Sequence, residues 1–247
     1  YAKTVRANPQ EQQRWCRQLA DLIAPVLPKD GSLLEVGVGE ATTLAGVLTE
    51  FGWGGRAFGF DVSWSRIKVA NDWLREQSQV AELFVGDLFN IPISDNSIDV
   101  VYSSHSLEPN GGWEEEAIAE CLRVARKAVV LIEPIYELAS PEAQARMEHH
   151  GYVRGLKEAA LSQGATVSRY HLLSHCAETL NPSGVILIEK DVKQMESTTF
   201  WRCPLTHEPL KDSGDAFAAI NTGIVYPVLR GIPMLMAEHA VIASKCN

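Results

Sequence analysis

Residues Ser32 to Leu44 read SLLEVGVGEATTL. A short apolar run ends in a carboxylate, two glycines alternate with small residues, and a helix-forming stretch follows. A glycine-rich turn between strand and helix is the usual cradle for a nucleotide phosphate, because free backbone N–H groups point at the anion. The dinucleotide fingerprint is G-x-G-x-x-G. Gly37 and Gly39 fit it, but the third position is Thr42. Glu35, two residues before the first glycine, puts charge where a phosphate would be repelled.

Outward from this turn, the pattern alternates between periods of two and of 3.6 residues. PQEQQRWCRQLADLIAPVL reads as an amphipathic helix with Trp15, Leu19, Leu22 and Ile23 on one face. After the 32–36 strand comes a helix over 41–51. RAFGFDV forms a second strand and SWSRIKVANDWLREQ a helix capped by Ser63. AELFVGD and NSIDVVYSSH are the third and fourth strands. GWEEEAIAECLRVA is a helix with acids in its first turn and Arg123 near its end, both suited to the helix dipole. KAVVLIEP is the fifth strand. A helical insertion at about 140–164 holds SPEAQARMEHHG, with Ser140 before Pro141 and Gly151 beyond the end, and YVRGLKEAALSQG. ATVSRYHL and GVILIEKD close the sheet. Such alternation predicts an α/β fold, a seven-stranded mainly parallel Rossmann-like sheet flanked by helices. Residues 1–194 form this domain. Residues 195–247, rich in turns and short apolar pairs, form a small β-rich C-terminal module that leans on it.

Ligands in parallel sheets bind beyond the carboxyl ends of the strands. Glu35, Asp61, Asp87 and the run Ser103, Ser104, His105 all fall there. Glu35 favours a cationic ligand group. S-adenosylmethionine has no phosphate and carries an ammonium and a sulfonium. Asp61 stands at the spacing from Gly39 where an acid meets ribose hydroxyls. Asp87 is placed to accept from an adenine amino group, with the backbone of Leu88 serving a ring nitrogen.

These segments, EVGVGEA, GFDVS, VGDLFNIPISDNSIDVVYSSHSLE and the late strand pair, resemble the class I S-adenosylmethionine-dependent methyltransferases over residues 30 to 190. The resemblance implies that Glu35, Gly37 and Gly39 line the methionine end. It places Asp61 and Val62 at the ribose, Asp87 and Leu88 at the adenine, and Ser103 and Ser104 beside the transferred methyl. Ala41 stands where the family often has glycine. HSLEPNGG, IEPIYELASPE and RMEHHGYVRGL also resemble bacterial methyltransferases that decorate surface glycans, including capsular phosphoramidate groups. This implies a small polar or sugar-linked acceptor. RCPLTHEPL and INTGIVYPVLRGIPMLM resemble the zinc-ribbon-type domain that activates some tRNA and protein methyltransferases as a separate subunit. That family's later cysteines are missing, and Cys203 with His207 cannot make a tetrahedral zinc site. A metal-free copy is expected, stabilising the catalytic domain or mediating a homodimer.

The chain has 247 residues, 46% hydrophobic and 21% charged, with net charge −9 and no basic run. That balance lowers the case for a nucleic-acid partner, which needs a basic footprint. No apolar run approaches the roughly 18 residues of a membrane span. The first residues, YAKTVRANPQEQQRW, carry no apolar signal core. Five cysteines without C-x-x-C spacing suggest reduced thiols. A cytoplasmic protein is expected.

His105, just past a strand end, is a candidate general base, and Glu108 a candidate partner of the acceptor; packing and a loop salt bridge are the plain alternatives. His149, His150, Tyr152 and Arg154 in the insertion are candidate substrate-binding residues, and Arg154 suits a phosphate or carboxylate. The two histidines also suit a helix C-terminus for its dipole alone. The expected reaction is O-methylation of a small acceptor. Rivals are a tRNA or protein methyltransferase, a nicotinamide-dependent oxidoreductase on a related fold, and a non-catalytic member acting as a partner subunit.

Overall fold

A computed structural model describes residues 2–176, 178–190 and 199–243. The expected boundary between 194 and 195 lies outside them. Two helices open the chain, α1 (Ala2–Ala7) and α2 (Pro9–Ile23). Then follow β1 (Ser32–Val36), α3 (Thr42–Phe51), β2 (Arg56–Asp61), α4 (Trp64–Glu76), β3 (Glu82–Val85) and β4 (Ile98–Ser104). Next come α5 (Glu114–Val124), β5 (Ala125–Pro134), α6 (Pro141–His150), α7 (Leu156–Ser162), β6 (Thr166–Leu172) and β7 (Ser183–Glu189).

These seven strands form one sheet in the order β3-β2-β1-β4-β5-β7-β6. The first five run parallel; β7 is antiparallel to both β5 and β6. β1, in the middle, is where the chain reverses its direction of winding, the switch point at which such sheets open a crevice. The central strands are buried on both faces and read as near-continuous apolar runs, as parallel strands do. One apolar layer packs α2, α3 and α4 on one face; the other packs α5 and α7 on the opposite face. On α2, Leu19, Leu22 and Ile23 are buried as their spacing predicts, while Trp15 is half-buried.

β3 passes to β4 through an irregular stretch without a helix, in line with the sequence pattern. One element departs from that pattern. The helix expected from Tyr152 begins only at Leu156. Gly151 ends α6 at φ 66°, and the N–H groups of Val153, Arg154 and Gly155 bond to Glu108 O, Glu114 Oε1 and Glu137 Oε1 rather than to helical carbonyls. Ser140 caps α6 as expected, accepting from Ala143 N. Ser63 precedes α4, but its hydroxyl pairs with Ser65 and makes no cap bond.

Residues 199–243 build a small antiparallel sheet from β8 (Lys211–Asp212), β9 (Ala216–Ala219), β10 (Ile224–Leu229), β11 (Ile232–Pro233) and β12 (Val241–Ile242). It shares the core of the main sheet: Cys203, Phe217, Tyr226 and Leu235 join the α5 layer. Trp201 meets Phe84 of β3 edge-on at 5.2 Å, and Phe200 stacks on Phe58 of β2 at 4.8 Å. Beside β3, Met234 pairs with Val85 and Leu235 N–H donates to Val85 O at 2.8 Å. Arg123 of α5 ties the layers together through Asp95, which Arg202 also reaches at 3.2 Å.

Candidate cofactor cavity

The strand β1 and its turn build the floor of the site. Gly37 and Gly39 adopt φ of 66° and 57°, a region open to glycine at no steric cost. The need at Gly37 is also spatial, since a Cβ there would come within 2.3 Å of Ser106 Cβ. Ala41 takes the same left-handed conformation at φ 55° and leads into α3. Beyond the carboxyl ends of β1 to β4 lies a cavity of about 440 Å³. Glu35, Gly37, Gly39, Asp61, Val62, Asp87, Leu88, Ser104 and His105 all line it. Ser103 and Glu108 do not.

Asp61 is buried and ties the turn to β2. Its Oδ2 accepts from Gly39 N–H at 3.1 Å and its Oδ1 from Ser63 N–H at 2.9 Å. Arg66 pairs with Oδ2 at 3.3 Å. A carboxylate offers about four lone-pair sites, so capacity remains for hydroxyl donors. Val62 is 60% exposed on the outer wall. Asp87 closes its own turn by accepting from Phe89 N–H at 3.0 Å, and Leu88 beside it is buried.

Glu35 is only 2% exposed. Tyr102 of the neighbouring strand donates to its Oε2 at 2.7 Å. Burial dominates over this bond and over one from the backbone of Leu44, pushing the carboxyl up from 4.5 to about 8. A group so poised ionises when a cation arrives beside it.

The loop after β4 forms the opposite wall. His105 has φ 57°, strained for a residue with a side chain. Its Nδ1 bonds to Glu108 Oε2 at 2.7 Å and its Nε2 to Ser183 Oγ at 2.7 Å. Trp15 of α2 packs on the ring at 5.7 Å. Burial opposes the charged ring, but the hydrogen bond to Glu108 and the charges of Glu133 and Glu108 outweigh it and raise the imidazole. Both ring nitrogens are engaged within the protein, so accepting a proton from a bound molecule requires one of these bonds to open. Asn181 donates a further bond to Glu108 at 3.2 Å. Ser106 Oγ, on the cavity wall, is buried without a partner among the described residues.

His149, His150, Tyr152 and Arg154 lie outside the cavity. They form a ladder on the outer side of α6, with His149 and His150 at 5.2 Å and His150 stacked on Tyr152 at 5.4 Å. Arg154 covers Tyr136 and faces Glu148 at 3.7 Å. The ladder is tied to the 108–114 loop, where Gly111 N–H donates to Gly151 O. In the C-terminal module, Cys203 Sγ lies 3.3 Å from the Tyr226 hydroxyl and accepts from Thr206 N–H. Among the described residues no three metal-ligating side chains come together.

Tyr102, Arg66, Ser106, Glu133 and Ser183 were not anticipated from the sequence. Glu133 ends β5 and was open to the same strand-end rule. Ser183 begins a strand that runs the other way, so its amino end meets the rim; only the antiparallel pairing with β5 reveals this.

Residues 34–132 match the family model of a methyltransferase domain. By this match the segment is a methyltransferase domain. No curated protein sequence matches the chain. Among solved structures, the complex between the Haloferax volcanii Trm112 methyltransferase activator and a methyltransferase aligns at TM-score 0.60 and 15% identity, over 79% of this chain and 97% of that one. Magnesium protoporphyrin IX methyltransferase from Synechocystis, with bound S-adenosylhomocysteine, aligns at 0.58 and 13%, over 73% and 84%. The [4+2]-cyclase SpnF aligns at 0.58 and 18%, over 71% and 81%. At these identities the likeness speaks for the fold. The site of this methyltransferase domain fits its cofactor, S-adenosylmethionine: an acidic wall, a cradle that a Cβ would fill, and an unpartnered buried hydroxyl. Among the described residues no helix is long and apolar enough to cross a membrane.

Proposed function

We propose that the chain transfers a methyl group from S-adenosylmethionine to an oxygen of a small polar acceptor, sugar- or phosphoramidate-linked, in surface-glycan biosynthesis. The observation that carries the transfer is the convergence of Glu35, Asp61 and Asp87, from three strands, on one cavity whose guanidinium, Arg66, is paired with Asp61. Such a site suits a cationic, phosphate-free ligand. Glu35 and the glycine turn hold the methionine end, with Ser106 a further donor. Asp61 holds the ribose, and Asp87 with Leu88 the adenine.

When bound, the cofactor supplies a methyl group already activated on a sulfonium. The protein's task is then alignment, which is worth roughly 7–11 kcal/mol. His105 and Glu108 serve this by ordering the wall, since both ring nitrogens bond within the chain. The acceptor approaches over the rim, where Phe89 meets Trp113 at 6.0 Å and Trp113 is 57% exposed. The His149–Tyr152 ladder and Arg154 are tied to the loop behind that rim through Gly111 and Glu114, and an acceptor larger than the cavity would reach them.

A tRNA or protein acceptor is the second reading. The C-terminal module favours it, because the Haloferax volcanii structure pairs a methyltransferase with an activator. In this reading and in the first, the module acts in cis as a stabilising neighbour of the catalytic sheet.

Calorimetric titration with S-adenosylhomocysteine and with NAD separates methyl transfer from hydride transfer. Binding of the first alone is expected; preferential NAD binding overturns the proposal. Labelled methyl transfer to sugar phosphates and phosphoramidates, tRNA and protein then sorts the acceptors.

A further inference from the structure

We propose that Glu133 is the positioning residue of the cofactor cavity: a buried carboxylate that fills a nest of three successive backbone N–H groups and thereby holds the wall presented by His105 and Ser106. The inference rests on the reading of this cavity as the S-adenosylmethionine site.

The nest begins with strain. β4 ends at Ser104, and His105 turns the chain through the left-handed region. The N–H groups of Ser106, Leu107 and Glu108 then converge on one point. Glu133 occupies it, accepting at 3.1, 3.2 and 3.1 Å. Backbone nests of this kind bind anions; here the anion is the protein's own, delivered by β5 and fully buried. Burial raises the carboxyl, while the charge of His105 and the bonds from the loop work to keep it ionised.

The wall has no slack. The backbone of Gly37 packs so closely on Ser106 that even a Cβ has no room. A loop that drifts by a few tenths of an ångström either strikes the glycine turn or opens a gap beside it. Glu133 is therefore placed to set the width of the cavity at the methionine end without touching its contents. The groups facing His105 are Glu108 from its own loop, Glu133 from β5, Cys176 from the segment between β6 and β7, Ser183 from the start of β7, and Trp15 from α2. Removing the charge of Glu133 withdraws one of the anions that favour the imidazolium.

The test compares Glu133→Gln and Glu133→Asp with the wild type. We expect Glu133→Gln to weaken S-adenosylhomocysteine binding about tenfold, the scale of one lost charge-assisted hydrogen bond, and to lower the midpoint of the His105 imidazole titration read by NMR. Glu133→Asp keeps the charge and is expected to return that midpoint toward the wild-type value. Binding by Glu133→Gln within twofold of wild type, or an unmoved His105 midpoint, overturns the proposal. Amide exchange on the wild type is independent of any variant. Protection of the 106–108 amides like that of β4 is expected, and exchange at open-loop rates overturns the nest. Wild-type protein that binds no S-adenosylhomocysteine instead overturns the cofactor reading, because the titration and the exchange are measured without it.

Discussion

Tyr102 donates its phenolic hydrogen to Glu35 across two neighbouring parallel strands, at 2.7 Å and fully buried. The two residues stand opposite each other in the register of β1 and β4. The acid that looks out on the cavity is thus held from behind by a donor that solvent cannot reach.

Removing that donor has a defined cost. Tyr102→Phe leaves a buried carboxyl short of one partner, a loss of about 1–3 kcal/mol. Thermal unfolding checks the stability, and titration with S-adenosylhomocysteine is expected to show weaker binding. A variant as stable as the wild type would mean that Glu35 finds its donor elsewhere.

The pH dependence follows from Glu35 itself. Its folded value of about 8 lies above the ordinary 4.5, so the folded chain binds this proton more tightly than the unfolded chain. The stability it contributes is complete below 4.5, falls as pH rises from there to about 8, and is level above. Glu35→Gln removes this slope. The difference in unfolding free energy between wild type and Glu35→Gln, measured from pH 4 to 9, is expected to grow in favour of the variant up to about pH 8 and then stay constant.

Cofactor binding should release a proton at neutral pH, because the ligand's ammonium favours ionised Glu35. Calorimetry at pH 7 in buffers of different ionisation enthalpy reads this directly. Identical heats in all buffers would show that Glu35 does not change charge.

Two glycines with similar backbone angles separate strain from space. Gly37→Ala carries both the left-handed penalty, about 1–2 kcal/mol, and a Cβ 2.3 Å from Ser106; cofactor binding is expected to be lost. Gly52→Ala has φ 53° but nothing within 4 Å. It should bind the cofactor normally and lose only the strain energy in thermal unfolding.

Much of the fold is legible in the sequence because its strands are apolar runs that end in acids. Glu35, Asp61 and Asp87 mark three strand ends, and the helices between them repeat at 3.6 residues. The site is legible only in part. The cofactor side follows from residues that lie next to their own strand, so sequence spacing reports their position. Ser183 and Trp15 come to His105 from distant segments, and neither lies in any motif. Tyr102 looks like one more apolar strand residue until the register of β1 and β4 sets it opposite an acid. The helix starts only at Leu156 because one backbone carbonyl, of Glu108, and two carboxylates, of Glu114 and Glu137, take up the N–H groups of residues 153–155. No local propensity contains that competition.

An edge strand is an open row of donors and acceptors, available to any passing chain. At the carboxyl end of β3, Met234 bridges Val85 and Leu235 N–H takes its carbonyl, while Trp201 covers Phe84 and Phe200 covers Phe58 of β2. A second protein that recruits by adding a strand finds that end of β3 filled by the same polypeptide. The ratio of catalytic sheet to covering module is consequently fixed at one to one by covalent linkage, whatever the expression level of other subunits.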